Sequence, residues 1–224
     1  MVFGASGVLG QAIAGEFEHG GYSVLRASRA AGRGVGWLCT EDADWVGDAW
    51  IQAGSIDAVV WAQGLNAAGS LEAGVVGKLE DLFHANVGFV VETLMPLLAA
   101  GVVGSGSRLV VLGSVWQNVA RTEKLAYVTS KAAVGGLVRA LAADLGVQGV
   151  QVNAVLPGVV DSEMSRTFLS PAQMADLARQ TPGGVLVSAV QVARVVRFLA
   201  GPDSAGVNGQ CLVVDGGWSQ VREV

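Results

Sequence analysis

Short runs of consecutive apolar residues alternate along this chain with stretches of helical spacing. Ala58-Val59-Val60-Trp61-Ala62 and Leu109-Val110-Val111-Leu112 are apolar at every position. A strand that is apolar on both faces must be covered on both, which is the condition of a parallel sheet between two layers of helices. Strands are expected at 1–3, 22–27, 35–39, 56–62, 108–112, 150–156 and 211–214. Helices are expected at 8–19, 43–53, 77–100 (broken near Pro96), 125–145 and 190–200. The alternation predicts an α/β fold, a doubly wound parallel sheet of about seven strands with helices on both faces, in one domain over 1–224. The polar segment around 161–188, with Pro171 and Pro182, reads as a mobile insertion.

Composition narrows the class. With 51% hydrophobic and 15% charged residues the chain is not a disordered one. Its mean hydropathy of +0.48 raises the question of a membrane. The charge-free stretch between Glu92 and Arg108 is cut by Pro96, Gly101, Gly104 and Gly106, short of the roughly 20 apolar residues a spanning helix needs, so no membrane is expected. A net charge of −5, with the cations scattered, excludes a nucleic-acid surface. Cys39, Cys211, His19 and His84 have no metal-ligand spacing, so no metal is expected and the cysteines read as buried thiols. No charged and apolar leader is seen, which predicts a cytoplasmic protein.

Three patterns carry chemistry. Gly4-Ala5-Ser6-Gly7-Val8-Leu9-Gly10 joins the first strand to the first helix, where glycines let backbone approach a pyrophosphate seated on the helix N-terminus. The second strand ends in Leu25-Arg26-Ala27-Ser28-Arg29, with no carboxylate until Glu41. A carboxylate there would accept from a ribose 2′-hydroxyl; Ser28 and Arg29 instead suit a 2′-phosphate, so NADP(H) is favoured over NAD(H). Tyr127 and Lys131 are four apart on a predicted helix and share its face, where a neighbouring ammonium favours the phenolate. Ser114 follows a parallel strand, where open α/β sheets place ligands.

These features together resemble the short-chain dehydrogenase/reductase family, in its single-domain branch of ketoreductases and alcohol dehydrogenases. The likeness runs from the glycine turn through Asn86, Ser114, Tyr127-x-x-x-Lys131 and Asn153-Ala154-Val155-Leu156-Pro157-Gly158 to Val214-Asp215-Gly216-Gly217. It implies a Rossmann-like fold. It also implies a catalytic set in which Tyr127 is the acid/base, Ser114 orients the substrate carbonyl, Lys131 lowers the tyrosine pKa and binds the nicotinamide ribose, and Asn86 holds a relay water. Cofactor contacts are expected from Gly4, Ser6, Gly7, Leu9, Gly10, Ser28, Arg29, Ala62, Gly64, Tyr127, Lys131, Pro157, Gly158, Val160 and Ser162. The resemblance further implies a small carbonyl or alcohol substrate, a lid over 161–188, and a homotetramer or dimer built on the Tyr127 helix and the last strand.

Three departures keep other readings open. The 3-3 glycine spacing is similar to that of nucleotide-sugar-modifying relatives. Trp61-Ala62-Gln63-Gly64 stands where the family has Asn-Asn-Ala-Gly, which puts that strand's hydrogen bonds in doubt and motivates a non-catalytic dinucleotide-binding regulator. The first strand has only three residues, so it is either unusually short or starts upstream. An NAD(H)-dependent alcohol or diol dehydrogenase is the nearest alternative. Trp116, Met164, Phe168 and Leu169 predict an apolar substrate pocket, and Arg166 and Arg179 are candidates for an anionic tail.

Overall fold

The computed structural model describes residues 1–29, 36–71 and 74–221. Seven strands form one all-parallel sheet: β1 (Val2–Phe3), β2 (Arg26–Ser28), β3 (Trp37–Cys39), β4 (Ala58–Trp61), β5 (Arg108–Leu112), β6 (Gln151–Pro157) and β7 (Cys211–Val214). Their order is β3-β2-β1-β4-β5-β6-β7, so the chain winds one way from β1 and then crosses back to continue on the other side at β4. The expected strand at 35–39 is β3; Val35 itself lies outside the described residues.

Alternate residues of the strands enter opposite cores. Phe3, Val59, Trp61, Leu109 and Val111 face one layer, while Val2, Val60, Val110 and Leu112 face the other. The second layer is completed by α1 (Val8–His19) and α8 (Ala189–Ala200), which pack on one another through Ile13, Phe17, Val192 and Val196. The first layer is covered by α2 (Trp45–Ala53), α4 (Phe89–Ala99) and α5 (Leu125–Gly146). α8 starts in a reciprocal cap: the Ser188 hydroxyl accepts from Gln191 N at 3.2 Å, and Gln191 Oε1 accepts from Ser188 N at 2.8 Å.

Three expectations are corrected. The long helical stretch does not break at Pro96, which sits inside α4. It is interrupted earlier, where α3 (Val75–Phe83) passes into one π-helical turn, His84–Gly88, before α4. There Phe89 N donates to His84 O, five residues back, which inserts one extra residue into the turn that carries Asn86. The whole stretch Val75–Ala99, with mean hydropathy 1.4 in its most apolar window, is long and apolar enough to cross a membrane by length and composition. Yet Val87, Val90, Leu94 and Leu97 are buried in the core beneath the sheet. The second correction concerns 161–188, which folds as α6 (Glu163–Phe168) and α7 (Pro171–Arg179), capped by Ser162 and Ser170. Cys39 and Cys211 are half-buried free thiols rather than core residues.

Trp61 costs the strand nothing. Its indole stacks on Phe3 at 5.7 Å, and Nε1 donates to Thr93 Oγ1 at 2.8 Å. Thr93 in turn donates to Phe89 O, so β4 is tied to α4 by a side-chain bridge. Gln63 is less well served, since its Oε1 is buried without a partner among the described residues.

Candidate active site

Because all seven strands are parallel, their C-terminal ends share one edge of the sheet, and the predicted residues gather there. Gly4 follows β1 with φ of 70°, and a Cβ on it would lie 2.6 Å from Gln63 N. A Cβ on Gly10 would strike Gly4 O and the Ala5 backbone. The turn is thus closed by glycine at both ends. Gly7 caps α1 without a side-chain hydrogen bond, and no acidic residue sits in the first turn. This leaves an uncovered positive helix end, and Ser6 is exposed beside it. A dinucleotide pyrophosphate fits these residues. Ser28 ends β2 and is buried, while Arg29 is exposed, its carbonyl accepting from Cys39 Sγ at 3.3 Å.

A cavity of about 130 Å³ opens where β5 and β6 end, and Leu9, Ser114, Tyr127, Pro157, Gly158, Val160 and Ser162 all line it. Gly158 is obligatory, because a Cβ there would lie 2.8 Å from that of Asp215. Asp215 is itself held by the amides of Gly217 and Ser219, each at 2.8 Å. Ser114 follows β5 with extended backbone, and its Oγ accepts from Trp116 N at 3.3 Å while its hydroxyl hydrogen-bonds with Tyr127. Trp116, Met164, Phe168 and Leu169 form apolar wall, as expected.

Behind the cavity lie the other two members of the predicted catalytic set. Lys131 Nζ donates to Leu112 O at 3.1 Å and lies 6.0 Å from the Tyr127 ring centroid. Asn86 clamps the backbone of Leu65: Leu65 N donates to its Oδ1 and its Nδ2 donates to Leu65 O, both at 3.1 Å, with a further bond to Ser130 Oγ. Both amide protons are thereby used, and Oδ1 keeps one lone pair for a water. A Cβ on Gly64 would lie 3.0 Å from Asn86 Oδ1 and 3.3 Å from Lys131 Nζ, so the small residue at 64 is required where these two meet. Ala62 directly follows β4, two residues before Gly64.

The electrostatics differ from expectation in one respect. Burial pushes the Tyr127 phenol above its ordinary value, and hydrogen bonding with Ser114 pulls the other way. Lys131 is depressed to about 8 by desolvation. In the protein as it stands the tyrosine therefore holds its proton. Arg166 and Arg179, the candidates for an anionic tail, are paired with Asp161 and Asp176 at 2.9 and 3.0 Å.

Sequence reasoning passed over Arg121, Lys124 and Asn66, which also line the cavity. Lys124 Nζ donates to Asn66 Oδ1 at 2.9 Å and to Ala67 O at 3.2 Å. The available signal was spacing: two of the chain's three lysines stand at three before and four after Tyr127, hence on its helical face.

The chain belongs to the short-chain dehydrogenase/reductase family and is an NAD(P)-dependent oxidoreductase of Rossmann-like fold. A family model described as enoyl-(acyl carrier protein) reductase matches residues 40–219. The chain is 34% identical to 2-(R)-hydroxypropyl-CoM dehydrogenase of Xanthobacter autotrophicus over 76% of its length and 70% of that protein. It is 29% identical to 3-oxoacyl-(acyl-carrier-protein) reductase FabG of Escherichia coli over 75% and 68%. Among solved structures, the aldohexose dehydrogenase of Thermoplasma acidophilum superposes with a TM-score of 0.87 and 25% identity, covering 100% of this chain and 95% of that one.

Proposed function

We propose that this protein interconverts a carbonyl and a secondary alcohol, using NADP(H) in preference to NAD(H), with Tyr127 as the proton donor. The observation that carries this reading is the meeting of Ser114 and Tyr127 on one cavity wall, with Lys131 and Asn86 behind it. The relatives named above, a 3-oxoacyl reductase and a hydroxypropyl dehydrogenase, support carbonyl chemistry. In this reading Gly4, Ser6, Gly7, Leu9 and Gly10 hold the pyrophosphate, Ala62 and Gly64 adjoin the adenosine ribose, and Pro157, Gly158, Val160 and Ser162 line the nicotinamide. Ser28 and Arg29 hold the 2′-phosphate, which no carboxylate at the end of β2 repels. The bound dinucleotide supplies or accepts the hydride.

The chain supplies position and the proton. Ser114 Oγ donates to the carbonyl oxygen and fixes it beside the phenol. Tyr127 Oη gives its proton to that oxygen as the carbon is reduced and takes it back in the reverse direction. Lys131, with one proton spent on Leu112 O, presents its remaining donors toward the ribose and holds positive charge near the phenol. α6 and α7 close over the substrate as a lid. Two or four copies assemble through α5 and β7.

Titration with NADPH and NADH, followed by cofactor fluorescence, tests the first half of this reading. NADPH is expected to bind at least about tenfold more tightly, the scale of one charge-assisted pair; equal affinities overturn the Ser28-Arg29 assignment. Tyr127→Phe is expected to bind NADPH normally and lose at least about a hundredfold in turnover of a ketone panel. Retained turnover removes Tyr127 as the donor.

A further inference from the structure

We propose that Arg121 and Lys124 form a subsite for an anionic group on the substrate, so that the enzyme takes a short oxo acid, or the matching hydroxy acid. The charged group would lie a few bonds from the reacting carbon. This inference rests on the carbonyl reading above and adds the charge of the substrate to it.

Lys124 stands at the entrance to α5, three residues before Tyr127, and only 7% of it is exposed. Its ammonium reaches the cavity 5.9 Å from the Tyr127 ring centroid and 3.8 Å from that of Phe168. Its hydrogen-bond and ring partners among the described residues are neutral: Asn66 Oδ1, Ala67 O and two aromatic rings. Among the described residues no carboxylate pairs with it. A cation taken from water and left among neutral dipoles is unfavourable unless something else brings the opposite charge. Burial and the like charge of Arg121 lower the Lys124 pKa to about 8, the direction that an uncompensated cation must take.

Arg121 lies half-buried on the same wall, with no hydrogen bond or ion pair among the described residues. Arg166 and Arg179 on the neighbouring helices are both neutralised by aspartates, so the contrast is local. Among the described residues, Arg121 and Lys124 are the charged side chains lining the cavity, and no Asp or Glu lines it. The molecule as a whole carries −5, so its average field repels anions and attraction has to come from this pair.

The backbone holds the lysine in place at a cost. Glu123 has φ of 59°, the one left-handed non-glycine residue among those described, and its own side chain is exposed. The turn is pinned on both sides: Gly69 N donates to Glu123 O at 2.8 Å and Leu125 N to Gly69 O at 3.2 Å. A strained residue clamped beside a cavity, turning a carboxylate out and an ammonium in, fits a binding site better than a loop left to relax.

Acetoacetate and methyl acetoacetate differ in charge and little else, and they provide the test. Binding is followed by tryptophan emission, since Trp116 lines the cavity, and turnover by kcat/KM with the preferred cofactor. Wild type is expected to favour the acid about fiftyfold, the scale of charge-assisted hydrogen bonds. Lys124→Met and Arg121→Gln should each cut that ratio about tenfold or more, chiefly through KM. A wild-type ratio near one overturns the proposal. So does a Lys124→Met variant that slows both substrates in parallel, which would make Lys124 a positioning residue for Tyr127. If Lys124→Met fails to fold, Arg121→Gln on the rim decides alone. Should the acid bind to wild type and not to Arg121→Gln while neither ketone is reduced, the subsite stands and the carbonyl reading falls. An acid that neither binds nor reacts overturns the subsite.

Discussion

A phenol that keeps its proton through neutral pH is poised as an acid and has to be deprotonated to act as a base. Burial raises the Tyr127 pKa, so carbonyl reduction should run at a level rate between about pH 6 and 7, below the titration of Lys131 near 8, and alcohol oxidation should climb as the solution becomes alkaline. Rate profiles in both directions check this; an oxidation rate that is flat or falls with pH contradicts it. Lys131 makes a second prediction at the same scale. Its folded pKa, about 8, lies below the ordinary 10.5, so the unfolded chain binds the extra proton between those values. Stability should therefore rise with pH across that window, by an amount on the order of 3 kcal/mol for Lys131. Lys124 adds to the rise in the same direction. Urea midpoints measured from pH 8 to 10 should climb for wild type, and Lys131→Met should flatten the slope. The tyrosine-lysine pair was legible in the sequence because four residues make one helical turn. The direction of its titration was not, because burial is a property of the packed molecule.

At the scale of elements, the link from β4 to α4 replaces what the sequence left in doubt. Trp61 and Thr93 are 32 residues apart, and no local pattern announces that an indole donor on a strand will find a threonine that also bonds its own helix. Thr93→Val should cost about 1–3 kcal/mol by orphaning the buried Nε1. In a Trp61→Phe background the same change should cost measurably less, which denaturation of the four proteins in the cycle reads directly. A full additive cost would mean that the bond contributes nothing. The helix boundaries that carry caps, such as α1 before Gly20 and α8 after Ser188, were readable from residue type. The π turn was not. Proline is a visible breaker, whereas the insertion around Asn86 follows from satisfying Leu65 and Ser130 across the molecule. For the same reason 161–188, which reads as polar insertion, holds two short helices whose serine caps are a weak signal beside its prolines.

At the scale of the whole molecule, β7 ends the sheet with Leu212 42% exposed. An apolar edge strand left bare invites pairing. Light scattering is expected to find two or four copies, and Leu212→Asp to reduce the mass; a monomeric wild type removes the proposed assembly. Central strands such as β4, β5 and β6 were legible because burial on both faces forces uninterrupted apolar runs, whereas β2, expected at 22–27, is Arg26–Ser28; strand order needs only the switch at β4. Where the sheet turns back also divides the labour. Loops after β1 and β2 supply the proposed phosphate and adenosine contacts, the loop after β5 supplies wall against the proposed substrate, and the loop after β6 lines the cavity and is also proposed to hold the nicotinamide. The loop after β4 lies between the two as well, with Gly64 toward Asn86 and Asn66 toward Lys124. In evolutionary terms the far end of the proposed cofactor site and the wall after β5 can be edited separately, whereas a change in the loop after β6 touches both trades at once.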